Sequence, residues 1–372
     1  MKKALVHEWF VDRSGSEKCA ESFTNIWDDF DVYSLVDFLT PSLREKLIKN
    51  KTVKTSYIQK LPFAKNHFRK YLPLFPNAIE NFDFTGYDLV LSNSHAVAKG
   101  VITGENTLHI CYCHTPVRYA RELRSQYLET AGFNKGLKKY FANAVLDKIK
   151  KWDDKTAHRP DFYIANSDYT AAKILNYYGR EATVIHPPVE VNRFVSNLKR
   201  ENYYFTASRL VPYKKIELIA EAFTNMPNRK LVIAGSGEML NKVKEKAGKN
   251  VEILGFVTDE EMAELMGKAK AFVWAAIEDF GIVIAEAHAA GTPVIALGIG
   301  GAKDIVIEGF NGTFFENQTV TGIISAVQKF ENISGCFNHN EIAIDAQKFS
   351  KERFEAEIKE FIEKKFVNFR SR

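Results

Sequence analysis

The sequence predicts an α/β protein built of two doubly wound domains with parallel sheets. Three observations carry this. Short apolar runs of strand length alternate with helical segments along the whole chain, the pattern of repeated strand–helix–strand units. The length of 372 residues exceeds one ordinary domain, and Pro187-Pro188 interrupts the alternation near its middle. The third observation is the stretch 271–301, AFVWAAIEDFGIVIAEAHAAGTPVIALGIGG. It reads as a buried strand over 271–277, an acidic loop, a short apolar helix over 282–290 closed by Gly291 and Pro293, and a second strand over 294–297.

With 45% apolar and 26% charged residues the composition is that of an ordinary globular chain. No apolar run reaches the roughly 20 residues of a membrane span. MKKALVHEWF reads as a first strand rather than an export signal. Four scattered cysteines form no disulfide or metal framework and suit reduced thiols, hence a cytoplasmic protein. Residues 1–190 hold 27 basic and 22 acidic side chains, so the whole net charge of +5 lies in the first half. That excess suits an anionic acceptor or peripheral contact with the anionic inner face of the plasma membrane. Nothing in the pattern calls for nucleic acid.

In the first half, residues 4–10 form a strand. Ser14-Gly15-Ser16 then supplies a tight turn and N-cap residues for a helix over 17–27. Residues 31–38 form the second strand. Asp29-Phe30-Asp31 has the spacing of some metal-dependent transferases but reads as a turn. Residues 60–76 combine three prolines with Lys60, Lys65, Arg69, Lys70 and several aromatics. Such a stretch suits a membrane surface, an acceptor groove or a packed exposed loop. Strands follow over 87–92 and 108–113. The latter ends at His114, where ligand groups gather in doubly wound sheets. Residues 135–155 read as an amphipathic helix with a solvated charged face. A strand over 162–165, a helix beginning at Ser167 and a strand over 183–186 complete the half.

In the second half, a strand over 203–207 leads to Arg209 and to Lys214-Lys215, ahead of a helix over 216–223. Two cations at a helix N-terminus oppose its dipole unless an anion lies between them. A strand over 230–234 ends in Gly235-Ser236-Gly237, where the backbone can come close to a ligand. A strand over 251–254 ends in Gly255-Phe256-Val257. Residues 350–369 form an amphipathic helix with Phe354, Ile358, Phe361, Ile362 and Phe366 on one stripe.

The 278–286 segment holds the chemistry. Backbone N–H groups near Phe280, Gly281 and Ile282 have no intrahelical partner and form a seat for phosphate. Glu278 and Glu286 frame that seat. Carboxylates repel phosphate and so serve neighbouring hydroxyls. A ligand with a charged middle and hydroxyl-bearing ends is a nucleotide sugar. Glu286 lies among apolar residues and requires a partner.

Glu278-x7-Glu286, with Phe280-Gly281 inside it and Gly291-Thr292-Pro293 behind it, resembles the retaining nucleotide-sugar glycosyltransferases of family 4. That resemblance implies the GT-B fold, two Rossmann-like domains facing each other across a cleft. It implies that Glu278 contacts the donor sugar, that Glu286 holds the ribose and that the amides of Phe280, Gly281 and Ile282 bind the diphosphate. Arg209 and Lys214 would clamp the diphosphate, with Lys215 as the alternative. The Val257 turn would pack on the nucleobase, and Gly235 would line the site. Family 4 proteins carry paired glycines before Glu-Lys near the donor phosphates. This chain has Gly15 alone. His114-Thr115-Pro116-x-Arg118-Tyr119 is similar to the O-antigen mannosyltransferase-like branch, which implies that His114 faces the donor sugar with Arg118 nearby.

The implied domains are 1–187, with a C-terminal helix over 351–372 crossing back, and 188–350. The implied activity moves a hexose, in this branch mannose from GDP-mannose, to a glycan or lipid-linked acceptor of a bacterial surface polysaccharide. No cofactor or metal is required. A UDP-sugar donor, a nucleotide-sugar 2-epimerase and a non-catalytic binding partner are the alternative readings. The last would have lost Arg209, Lys214 or Glu278, and all three stand. Hydride transfer is disfavoured, since no G-x-G-x-x-G follows a strand.

Overall fold

Strand pairing is parallel throughout the residues described by the computed structural model, which are 1–130, 132–133, 135–196 and 199–371. Contacts divide the chain into two units, Met1–Pro188 with Phe354–Arg372, and Val189–Arg353.

The first unit holds β1 (Lys3–His7), β2 (Phe30–Ser34), β3 (Val53–Thr55), β4 (Leu89–Ser94), β5 (Leu108–Cys113), β6 (Phe162–Ala165) and β7 (Ala182–Val184). Their order in the sheet is β3-β2-β1-β4-β5-β6-β7. The second unit holds β8 (Tyr203–Ala207), β9 (Lys230–Ala234), β10 (Val251–Gly255), β11 (Ala271–Trp274), β12 (Val294–Leu297) and β13 (Gly312–Phe315), ordered β10-β9-β8-β11-β12-β13. Both are doubly wound Rossmann-like sheets, as the alternation of apolar runs predicts. Strand order reverses between β1 and β4 and again between β8 and β11. Ligands of such sheets bind at the carboxyl ends of the strands flanking that reversal.

The central strands are buried on both faces, which is why they read as mainly apolar runs rather than alternating ones. In the first unit, one face packs Val6, Val90 and Ile149 into a common cluster. The other packs Leu5, Phe23 and Leu91, together with Phe354, Ile358 and Ile362 of the Lys351–Arg370 helix. Phe354 lies 5.6 Å from the rings of both Phe23 and Tyr112. Each of these helix side chains is fully buried and contributes about 1.5–3 kcal/mol.

Several elements depart from the sequence expectation. The first strand ends at His7 rather than residue 10. Glu8 turns inward and its carboxylate accepts the amides of His95, Ala96, Val97 and Ala98 and the Ser94 hydroxyl. The expected turn at Asp29-Phe30-Asp31 extends no further than Asp29. Phe30 and Asp31 belong to β2, and Asp31 accepts from Lys54 and Tyr87. The strand expected over 271–277 stops at Trp274. The edge strands β3 and β13 were not expected. Among the described residues no helix is long and apolar enough to cross a membrane.

Candidate active site

In the second unit the candidate residues converge on the carboxyl ends of β8 and β11. After β8 the chain turns through Arg209, which is exposed, and a short helical turn, Pro212–Lys214. Lys214 Nζ donates to Glu278 Oε1 at 2.5 Å and lies 4.7 Å from the centre of the Trp274 ring. Glu278 follows β11, so the pair joins the two strands that flank the reversal. Lys215 instead takes a left-handed conformation (φ 57°) and begins the Ile216–Thr224 helix.

Gly281 (φ 98°) caps the Ile282–Ala289 helix. Among the described residues no acceptor is found for the N–H groups of Gly281, Ile282 and Val283, whereas Ile284 N–H bonds to the Gly281 carbonyl. Unmet first-turn amides beside a lysine are a site of positive potential. The Phe280 ring is buried against Phe349, 5.5 Å away, so this residue can offer only its backbone. The loop is held from below by the Gly300-Gly301 turn. Gly301 N–H donates to the Glu278 carbonyl at 2.9 Å, and a Cβ on Gly300 (φ 81°) would lie 2.5 Å from that same oxygen.

Glu286 has the partner that its apolar setting requires. Arg193 Nη2 lies 3.2 Å from Glu286 Oε1, and its Nη1 lies 2.9 Å from Asp259. Gly235 (φ 131°) packs so tightly under the turn after β8 that a Cβ would meet the Ser208 carbonyl at 1.8 Å. Val257 is half-buried against the core, while Phe256 beside it is 81% exposed. A surface cavity of about 330 Å³ lies elsewhere, lined by Glu316, Asn317 and Lys329, and includes none of these residues.

In the first unit the carboxyl ends of β1, β4 and β5 carry a buried polar chain. Ser14 N–H, Ser14 Oγ and Ser16 Oγ all donate to Glu17. Burial opposes ionisation of Glu17, but the hydrogen bonds from His7 and Ser14 outweigh it, and its carboxyl is held well below the usual range. Glu17 Oε1 lies 3.2 Å from His7 Nε2, and His7 Nδ1 lies 3.0 Å from Asn93 Nδ2. Asn93 Nδ2 also donates to the Ser16 carbonyl, and Asn93 Oδ1 lies 2.6 Å from His114 Nε2. His95 stands beside them, its ring 6.2 Å from that of His114. Burial, with the charge of Arg118 acting in the same sense, pushes His95 down to about 3. Gly15 is the first residue of the Gly15–Ile26 helix, two residues before Glu17 in its first turn.

Of the residues singled out from sequence, Lys214, Glu278, Phe280, Gly281 and Ile282 lie together on the second unit. His114 and Arg118 lie with His95 on the first. Arg193, His7 and Asn93 were not foreseen. His7 reads from sequence as a strand residue, and Arg193 lies 93 residues from its partner.

Comparison with known proteins bears on the fold and the family. Residues 34–193 match the model of Glycosyltransferase Family 4, and residues 189–363 match that of Glycosyl transferases group 1. An uncharacterized glycosyltransferase of Methanocaldococcus jannaschii is 33% identical over 121 residues, 31% of this chain and 34% of that protein. The D-inositol 3-phosphate glycosyltransferase of Mycobacterium tuberculosis is 25% identical over 186 residues, 43% of this chain and 38% of that protein. The chain thus spans about a third of the length of the curated relatives it matches. Anabaena Alr3699/HepE, solved with UDP-glucose, shares the fold with a TM-score of 0.69 at 18% identity, over 98% of this chain and 100% of that one.

Each of the two parallel sheets is of the Rossmann-like kind seen in the glycosyltransferase structures of this fold, and the two glycosyltransferase family matches together span residues 34–363.

Proposed function

We propose that the protein is a retaining hexosyltransferase that takes its sugar from a nucleoside diphosphate donor and passes it to a glycan or lipid-linked acceptor. The observation that carries this is the Lys214–Glu278 pair beside the unmet amides of Gly281 and Ile282, at the strand ends flanking the β8/β11 reversal. In this reading Arg209, Lys214 and the loop amides receive the charge that grows on the diphosphate. Glu278 orients the sugar hydroxyls and Glu286, steadied by Arg193, takes the ribose. The Val257 turn meets the base. His114 faces the sugar, with Arg118 and Gly15 nearby.

The reaction exchanges one bond at the anomeric carbon for another on the same face. The bond to the phosphate oxygen breaks, the bond to the acceptor oxygen forms, and the departing phosphate oxygen takes the acceptor proton. No protein nucleophile is required. The lysine, the arginine and the amides meet the diphosphate charge, so no metal is needed in this reading.

The His114-Thr115-Pro116-x-Arg118-Tyr119 segment favours GDP-mannose, used in surface polysaccharide synthesis at the cytoplasmic face of the membrane. A UDP-hexose is the second reading, favoured by the UDP-glucose in the Anabaena protein of the same fold. Melting temperatures with GDP, UDP, ADP and their sugar conjugates, with and without magnesium, test both. A ligand at ~100 times its Kd stabilises by about 2.7 kcal/mol. A metal-independent shift with GDP and GDP-mannose alone supports the mannosyl reading. A shift with UDP compounds alone replaces the donor, and no shift with any nucleotide removes the transferase reading.

A further inference from the structure

The Gly136–Lys155 helix is not the evenly solvated amphipathic element its sequence suggests. From Leu146 onward it buries Leu146 and Ile149 in the core. Residues 136–141 are all exposed, and Ala142 is the first to pack against the core. Leu137 is 78%, Tyr140 72% and Phe141 65% exposed. Lone exposed apolar residues are ordinary, but three within five residues form a patch that calls for an occupant. Lys135, Lys138 and Lys139 surround them, and no acid occurs between Glu129 and Asp147. Asp147 is itself paired with Arg124 at 2.6 Å.

A second feature rests on the same core cluster. The segment running from Tyr57–Lys60 through Phe68–Leu74 packs Ile58, Phe68 and Leu72 inward. Phe63 points the other way. It is 81% exposed and its backbone is left-handed (φ 57°), a costly conformation for a bulky side chain. Lys60, Lys65, Arg69 and Lys70 stand around it, again without an acid. Both features pack their inner side chains on that one cluster, Phe68 and Leu72 from the second and Leu146 and Ile149 from the first.

We propose that the exposed start of the Gly136–Lys155 helix docks on an anionic lipid bilayer, together with the Phe63 segment. Leu137, Tyr140 and Phe141 enter the headgroup region, Phe63 is a second anchor, and the lysines meet lipid phosphates. Apolar and aromatic side chains interleaved with lysine on a projecting helix end fit that boundary. A second copy fits poorly, because a two-fold contact would set the lysines against themselves. The surface deepens the reading of a lipid-linked acceptor and rests on it for its purpose. Vesicle binding and nucleotide binding are therefore measured separately.

The test is flotation of the full chain with vesicles of phosphatidylcholine alone and with 30% (about a third) phosphatidylglycerol, at low and high salt. Wild type should float with the anionic vesicles only, less so at high salt. The triple variant Leu137→Ser, Tyr140→Ser, Phe141→Ser should lose binding at least about tenfold. Replacing Lys135, Lys138 and Lys139 by Gln should cost about fivefold per lysine. Phe63→Ser should weaken binding; unchanged flotation removes Phe63 from the surface. Unaltered circular dichroism confirms that each variant folds. Wild type that ignores anionic vesicles, or a triple variant that floats as well as wild type, overturns the proposal. So does a wild-type dimer that the triple variant converts to monomer, since the patch then belongs to a second copy. Vesicle binding without any nucleotide-dependent melting shift would sink the transferase reading and leave the surface standing.

Discussion

His114 Nε2 lies 2.6 Å from Asn93 Oδ1. The direction of that hydrogen bond is set two residues away. Ionised Glu17 requires the proton of His7 on Nε2, which leaves His7 Nδ1 as an acceptor. The Asn93 amide nitrogen then donates to His7 and to the Ser16 carbonyl, so its oxygen faces His114 and can only accept. His114 therefore carries a proton on Nε2. Asn93→Ala should lower turnover about 10²-fold while leaving nucleoside diphosphate affinity within about twofold, because the groups proposed to bind the diphosphate lie on the other unit. Nitrogen-15 spectra of the histidine rings check the tautomer directly. A variant that keeps both the Nε2–H signal of His114 and normal turnover would remove Asn93 from this role.

Lys214 and Glu278 neutralise each other in the free protein, and the two ends of that pair predict opposite responses. Lys214→Ala should weaken nucleoside diphosphate binding about tenfold or more. Glu278→Gln frees the lysine, so diphosphate binding should hold or tighten while sugar transfer is lost. Arg209→Ala should weaken binding as Lys214→Ala does. Calorimetric titration of the three variants decides, and weaker diphosphate binding by Glu278→Gln would show that Glu278 does not act as proposed.

Two glycines separate support of the site from support of the fold. At Gly300 a Cβ would press on the Glu278 carbonyl at 2.5 Å, so Gly300→Ala should displace the acidic loop and weaken donor binding. At Gly235 a Cβ would meet the Ser208 carbonyl at 1.8 Å, so Gly235→Ala should cost about 3 kcal/mol or more of stability. Urea unfolding and donor titration of both distinguish the cases. Wild-type stability in Gly235→Ala would show that the turn after β8 yields without cost.

Acid should unfold the protein by a route read from its buried histidines. Burial, against a partly offsetting backbone hydrogen bond, pushes His109 down to about 3 and His288 down to about 4. Their unfolded value is near 6.5. Between pH 6.5 and about 4 the unfolded chain binds these protons and the folded chain does not, so stability falls as pH falls. The slope is about 1.4 kcal/mol per pH unit for each histidine. The depressed carboxyl of Glu17 acts in the same sense at lower pH, contributing stability above its ordinary value that is lost on acidification. Urea midpoints at pH 7.5, 6.5 and 5.5 (about one unit apart) test this, and a flat series over that range would contradict it.

The sequence by itself determined the fold class and most of the element series. A strand buried on both faces is apolar with little interruption, and such runs as Phe162–Ala165, Ala271–Trp274 and Val294–Leu297 declare themselves. The edge strands Val53–Thr55 and Gly312–Phe315 do not. They are short, carry polar or small residues and are paired on one side only, so their strand character comes from the neighbour they pair with.

The same division runs through the site. Lys214, Glu278 and Glu286 stand out in the sequence because charge beside buried apolar segments needs a reason. That Lys214 touches Glu278, that Arg193 holds Glu286, and that Glu17, His7, Asn93 and His114 form one chain are matters of tertiary structure. Parallel sheets bring strand ends together from distant parts of the chain, so no local spacing could encode those contacts. The Gly136–Lys155 helix shows the converse. Its residues were legible as a helix, but only packing decided that its start, residues 136–141, would be left without a core to cover it.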